Sequence, residues 1–259
     1  MRARDLDLLV TAAQTSGDIA QRYFQKDPNV THKPNDAGPV TEADLEIDEY
    51  LRTHLCEQRP DYAWLSEETD DDISRLDQDT VFIVDPIDGT RAFIEGSSHW
   101  GHSLAIAHKG VVEVAAVFMP VIGKMFTATR TGGAFLNCKP IHASDRDETK
   151  GACILAAKAN FNADNWKGGF PDIRRNFRSS LAYRLCLVGE GAFDGMLTLR
   201  PTWEWDVAAG HLIATEAGAT STDQNGNALS FNTPQGCNPG MVTAAPKVHT
   251  GLIKALTGS

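Results

Sequence analysis

Two aspartates three positions apart, Asp85 and Asp88, follow a run of four apolar residues in the string Val81-Phe82-Ile83-Val84-Asp85-Pro86-Ile87-Asp88-Gly89-Thr90. The short, branched run has the character of a buried strand. Both carboxylates therefore fall at a strand end, where Pro86 fixes one backbone angle and Gly89 permits a tight reversal. Two carboxylates and the Ile87 carbonyl between them form an oxygen ligand set that suits a hard divalent cation such as Mg2+, bound at about 2.0–2.1 Å. The N–H groups of Gly89 and Thr90 come next, and they would meet a phosphate oxygen if a helical turn begins there. Read plainly, the same string is only a turn, since each of its residues favours one.

Two further acidic segments bear on the choice. In Leu65-Ser66-Glu67-Glu68-Thr69, one of the adjacent carboxylates can point inward while the other points out, and the three aspartates that follow, 70–72, suit a solvated loop. Asp206 heads a helix expected over 206–217, beside Trp205 and before the small residues Ala208, Ala209 and Gly210. There it can serve as a plain N-cap or ligate a metal, and nothing local decides between the two. Thr41 is placed to N-cap a helix over 42–56, which puts Asp44 in a first turn. Arg91 and Arg184 are candidates to meet a second phosphate, because a guanidinium fork suits that group, although surface arginines are commonly only solvated. His99, His102 and His211 lack metal-ligand spacing and read as structural, and Trp64, Trp203 and Trp205 read as packing residues.

The elements that must position these groups fall into two stretches. A helix is expected over 5–24 from apolar residues at Leu6, Leu9, Val10, Ala13, Ala20 and Phe24. A Pro- and Asn-rich loop follows at 26–39. After the acidic string come strands at 103–108, 111–118 and 124–129, an antiparallel meander. Beyond a polar stretch at 144–151 the pattern alternates: strand 153–157, helix 181–189, strand 193–199, helix 206–217, strand 241–245 and a final helix. The chain reads as α/β (α+β), in two packed halves, 1–150 and 151–259. Its 34 acidic and 24 basic residues give a formal charge of -10, which should repel nucleic-acid polymers and anionic membranes. A phosphorylated ligand must then meet something locally positive, and a bound divalent metal answers that need. Five cysteines without a C-x-x-C pair point to neither a disulfide framework nor a zinc knuckle, and fit reduced thiols in the cytoplasm. The first 25 residues lack the apolar run of a signal peptide, and no window is long and apolar enough to span a bilayer.

Taken in order, these motifs resemble those of the inositol monophosphatase superfamily of lithium-sensitive, Mg2+-dependent phosphatases, from Pro39 to beyond Gly210. Val40-Thr41-Glu42-Ala43-Asp44, the Glu67-Glu68 pair, the Asp85 to Thr90 string and Trp205 to Gly210 each look like one of its motifs. The resemblance implies a layered α/β/α/β/α sandwich, commonly a homodimer. It implies that Glu67, Asp85 and the Ile87 carbonyl hold a first Mg2+, that Asp85, Asp88 and Asp206 hold a second, and that a weaker third lies near Glu67. Thr90 and Asp44, with Glu67, would orient and deprotonate the attacking water. Inositol-specific members usually carry a glutamate seven residues before the last acidic ligand, and here that position is Leu199. Leu65-Ser66-Glu67-Glu68, the Pro201-Thr202 pair ahead of Trp205-Asp206, the Ala208 to His211 run and Cys237-Asn238-Pro239-Gly240 resemble instead bacterial 3'(2'),5'-bisphosphate nucleotidases. The expected substrate is then adenosine 3',5'-bisphosphate, with inositol-1-phosphate, another polyol or sugar phosphate, or histidinol phosphate as alternatives. From another class, some members of the superfamily are RNA-polymerase-associated binding proteins.

Overall fold

The computed structural model describes residues 2–26, 29–32 and 38–258. The chain begins with α1 (Arg2–Gln21), the short strands β1 (Thr31–His32) and β2 (Pro39–Val40), α2 (Glu42–Gln58) and β3 (Ala63–Ser66). A 3-10 turn (Ile73–Asp77) leads to β4 (Thr80–Asp88) and the short α3 (Thr90–Ile94). The meander is β5 (Gly101–His108), β6 (Val111–Met119), β7 (Lys124–Thr129), β8 (Gly133–Leu136) and β9 (Lys139–Pro140). Then come β10 (Ala152–Leu155), β11 (Ile173–Asn176), α4 (Leu181–Gly189), β12 (Gly195–Thr198) and β13 (Thr202–Trp203). The chain closes with α5 (Glu204–Glu216), β14 (Thr220–Thr222), β15 (Cys237–Asn238), β16 (Met241–Ala244) and α6 (Pro246–Thr257).

Strand alternation sorts the core into layers. In β4, Phe82 and Val84 join one apolar cluster with Leu104, Ile106, Val114 and Ala116, and they pack against Leu9 and Ala13 of α1 and Ile47 and Leu51 of α2. Val81 and Ile83 face the other way, with Ala105, Ala115 and Val117, onto Leu185 of α4 and Val207 and Ile213 of α5. A central strand buried on both faces needs such an unbroken apolar run. These strands belong to a seven-stranded sheet in the order β3-β4-β5-β6-β7-β8-β9, in which β3 pairs with β4 in parallel. Helices α4 and α5 also cover one face of a five-stranded sheet, β11-β10-β12-β16-β14, through Leu155, Met196 and Met241. On its far face Ile154, Leu197 and Val242 meet Val248 and Leu252 of α6. The result is the expected α/β/α/β/α sequence of layers. All seven strands of the larger sheet precede residue 150 and all five of the smaller follow it, while α4 and α5 fill the layer between them.

Local departures have physical reasons. The acidic string is not a reversal: β4 runs on through it to Asp88. Between the pairs Asp85↔Ser103 and Asp88↔Gly101, β4 advances three residues and β5 two, so one extra residue bulges out. Pro86 is tolerated there because a bulged position needs no ladder donor. Helix α1 ends at Gln21, and Tyr23 and Phe24 lie in the following turn. The loop expected over 26–39 contains β1 and β2, while its residues 27–28 and 33–37 lie outside the described ones. Strand β11, Ile-Arg-Arg-Asn, is a polar edge strand without an apolar signal to betray it.

Candidate metal centre

By strand alternation Asp85 falls on the same face of β4 as Val81 and Ile83, with 1% of its surface exposed, and among the described residues neither carboxylate oxygen has a hydrogen-bond partner. Burying a carboxylate in this way is costly unless a proton or a cation compensates it. Glu67 reaches the same point because its N–H donates to the Val84 carbonyl at 3.2 Å, continuing the parallel pairing of β3 with β4. Asp206 arrives from the first turn of α5, whose Trp205 carbonyl accepts from Ser103 Oγ at 3.0 Å, directly across the ladder from Asp85. One oxygen from each of Glu67, Asp85 and Asp206 lies within 4.8 Å of the others. Burial, then the charges of Glu67 and Asp88, push the Asp85 carboxyl well above its ordinary value. Asp206 is raised in the same direction by burial, Asp88 and Glu67. An all-oxygen donor set with an orphaned buried carboxylate at its middle fits a hard divalent cation.

Asp88, also buried, turns toward the second half of the chain. Its oxygens accept from Ser180 Oγ at 2.5 Å, Ala182 N at 2.6 Å and Leu181 N at 3.3 Å, at the N-terminus of α4. Burial raises its carboxyl to about 6, and these three hydrogen bonds keep it from rising further. Ser180 also caps α4 by accepting from Tyr183 N at 2.9 Å. Its place before an apolar helical run marks a cap in the sequence, but not that its hydroxyl would reach Asp88, 92 positions away.

Beside this, α2 opens with a capping box in which Asp44 Oδ2 accepts from Thr41 N at 2.9 Å and from Thr41 Oγ1 at 2.6 Å. That leaves Asp44 Oδ1 facing Thr90 Oγ1 at 3.2 Å, and the Thr90 hydroxyl is equally 3.2 Å from the Ile87 carbonyl. Helix α3 does begin at Thr90, with Gly89 before it at φ +100°, where an added Cβ would press on the His99 carbonyl at 3.0 Å. One turn further along α2, Asp48 accepts from Ser66 Oγ and Thr69 Oγ1, both at 2.5 Å, and so holds the two ends of the Glu67-Glu68 segment. Sequence reasoning passed over Asp48, although its spacing of four from Asp44 puts both on one helix face.

The sequence profile of the inositol monophosphatase family matches residues 2–258. The chain belongs to the inositol monophosphatase family. It is 33% identical over 236 residues to the inositol-1-monophosphatase of Rhizobium meliloti (strain 1021), covering 87% of each chain. It is 32% identical over 235 residues to the Nus factor SuhB of Escherichia coli (strain K12), covering 85% of each. Among solved structures, the extragenic suppressor protein SuhB from Bartonella henselae superposes with a TM-score of 0.82 at 25% identity over 98% of both chains. An IMPase from Thermotoga maritima shares the fold with a TM-score of 0.83 at 24% identity, covering 98% of this chain and 97% of that one.

Inositol monophosphatase family members normally use metal ions, and the carboxylate cluster of this member is of the kind that holds them. Around the cluster, the two arginines differ sharply. Arg91 is exposed, while Arg184 is buried, with Nε donating to the Arg178 carbonyl at 2.5 Å and Nη2 to the Ser179 carbonyl at 3.3 Å. Its guanidinium lies 4.5 Å from the Phe177 ring centroid, and burial lowers its pKa to about 10. Leu199 is half-buried against the α6-side core, and Arg200 beside it is exposed. His102 is buried with Nδ1 2.5 Å from the Pro86 carbonyl; burial lowers it to about 4, so the neutral ring donates from Nδ1 and braces the bulge. His211 Nδ1 contacts Ser221 Oγ at 3.1 Å, and half-buried His99 lies beside the Tyr183 ring. Trp203 and Trp205 stack on each other at 4.8 Å.

Proposed function

We propose that this chain is a Mg2+-dependent phosphomonoesterase acting on a small phosphorylated metabolite. The observation that carries the reading is the buried Asp85 carboxylate, unpartnered and ringed by Glu67 and Asp206, in a member of the inositol monophosphatase family. In this reading Glu67, Asp85 and the Ile87 carbonyl would hold one ion, Asp85, Asp88 and Asp206 a second, and Glu67 a weaker third. Ile87 and Asp88 keep lone pairs for this beyond the hydrogen bonds they accept. When bound, the ions supply charge neutralisation for the phosphate and acidify a water. Thr90 Oγ1, held by Asp44 and the Ile87 carbonyl, would orient an attacking water, and Glu67 with Asp44 would take its proton. The N–H groups of Gly89 and Thr90, at the start of α3, receive a phosphate oxygen.

The substrate in this reading is adenosine 3',5'-bisphosphate, giving AMP and phosphate. The lack of a glutamate at position 199 supports it, because a site that discriminates polyol hydroxyls needs polar partners, and Leu199 packs toward the α6-side core. The arginines support it too: the charges of Arg184 and Arg200 are felt at Asp206, and Arg91 adds a cation directly after Thr90. Arg91 and Arg184 are the residues assigned to the second phosphate. The reading extends to a homodimer in the cytoplasm, where five unpaired cysteines fit a reducing environment. The relatives called Nus factors favour a second reading, a transcription-associated binding protein. The formal charge of -10 weighs against polynucleotide binding.

Phosphate release measured side by side from adenosine 3',5'-bisphosphate, inositol-1-phosphate and histidinol phosphate tests this. Mg2+-dependent turnover that is fastest on the bisphosphate and abolished by EDTA is expected. Faster turnover of inositol-1-phosphate would move the substrate, and no turnover of any of the three would leave the binding reading in its place.

A further inference from the structure

Away from the carboxylates themselves, the buried charges include an arginine and a glutamate that share one hydrogen-bonded bridge. Arg75, in the 3-10 turn between β3 and β4, is 2% exposed, and Glu204, the first residue of α5, is fully buried. They are joined through the segment that precedes β15. Arg75 Nη1 donates to Asn232 Oδ1 at 2.6 Å and Nη2 to the Thr233 carbonyl at 3.0 Å, while Asn232 Nδ2 returns a bond to the Arg75 carbonyl at 3.1 Å. Asn232 N, Thr233 N and Thr233 Oγ1 in turn donate to the two Glu204 oxygens at 2.5–2.9 Å. Asp71 closes the outer end with bonds of 2.6 and 3.0 Å to Arg75. The chain between is pinned as well: Glu204 N donates to the Gly236 carbonyl at 2.9 Å, and a Cβ at Gly236 would touch Leu65 and Arg75.

Buried ion networks of this sort add little net stability, because desolvation consumes most of the Coulombic gain. What this one supplies is geometry. Arg75 lies eight residues beyond Glu67, and Glu204 two residues before Asp206. The bridge therefore ties together the two chain segments that carry the outer carboxylates of the centre, segments otherwise brought to Asp85 by separate strands and helices. We infer that Arg75 and Glu204 are positioning residues: through Asn232 and Thr233 they set the gap between Glu67 and Asp206, and with it the affinity of the centre for a divalent cation. The inference rests on the metal reading above and adds to it a determinant outside the ligand set.

The test is calorimetric titration of the full-length, metal-free protein with Mn2+, alongside its melting temperature without metal. Arg75→Lys keeps the charge but not the fork, and Glu204→Gln keeps the volume but turns one acceptor into a donor. Each is expected to weaken Mn2+ binding on the order of tenfold, the usual effect of losing a group that orients a metal ligand. Leu252→Ala, in the core under α6, is the control: it lowers the melting temperature and leaves the affinity of the folded protein unchanged. Should either bridge variant fail to fold, Asn232→Ala breaks the bridge at its centre without removing a charge. Bridge variants that melt lower yet bind Mn2+ as tightly as the wild type would overturn the positioning role alone. Wild-type protein that binds no Mn2+ would overturn the metal reading, and this inference with it.

Discussion

Asp85 bears on the energetics of the metal-free molecule, because its two buried oxygens have no partner among the described residues. With its carboxyl raised well above the ordinary range, the ionised form is tolerated worse in the fold than in the unfolded chain. Asp85→Asn is therefore expected to raise the melting temperature of the metal-free protein at pH 8 while erasing its stabilisation by Mg2+. A variant that melts below the wild type and still responds to Mg2+ would contradict the assignment. Asp206→Asn leaves the core intact and should cost activity on the order of a hundredfold or more in a phosphate-release assay, the scale of losing one electrostatic contributor to a reaction centre. The sign of the pH effect follows from Asp88, whose folded value of about 6 lies above the roughly 3.9 of an unfolded aspartate. Its contribution to the metal-free fold is fully present below about 3.9 and is lost as pH rises through about 6. Protons and Mg2+ thus compete for the same carboxylates. The rise in melting temperature on adding Mg2+ should be large at pH 8 and fade below about pH 6, as thermal melts across that range would record.

At the scale of elements, the centre depends on where α5 crosses α4. Gly210 lies at that crossing, where an added Cβ would stand 2.6 Å from the Leu185 Cβ. Gly210→Ala should destabilise the protein by about 1–3 kcal/mol, the usual cost of overpacking. It should also reduce activity beyond what the unfolded fraction explains, since α5 carries Asp206; denaturant melts with assays of the folded fraction separate the two. Helix α5 also shows where local reasoning falls short. Asp206 was expected at the helix start, and its helix opens two residues earlier, at Glu204, with Trp203 as an N-cap that makes no side-chain bond. A carboxylate in the first turn is favoured by the helix dipole whatever else it does, so its sequence position could not separate a cap from a ligand. By contrast, Thr41 was legible as a cap with Asp44 in the first turn, because the two partners of the capping box they form lie within one turn.

For the molecule as a whole, the carboxylate cluster joins residues far apart in the chain, Glu67 just after β3, Asp85 in β4 and Asp206 in the first turn of α5, while Asp88 is held at the N-terminus of α4. In a centre of this kind Li+ should inhibit phosphate release, with the inhibition relieved as Mg2+ is raised; insensitivity to Li+ would count against two exchangeable cation positions. The sequence by itself determined the buried central strand, the meander, most helices and the residue types of the centre, because each is written in apolar periodicity or in a short motif read within a few residues. The tertiary structure decided the rest. That Asp85-Pro86-Ile87-Asp88 bulges against β5, that Asp88 is held by Ser180, and that Arg75 reaches Glu204 through Asn232 are all facts about residues far apart in the chain. Their side chains find one another only after the layers have packed, and no local pattern records a partner that distant.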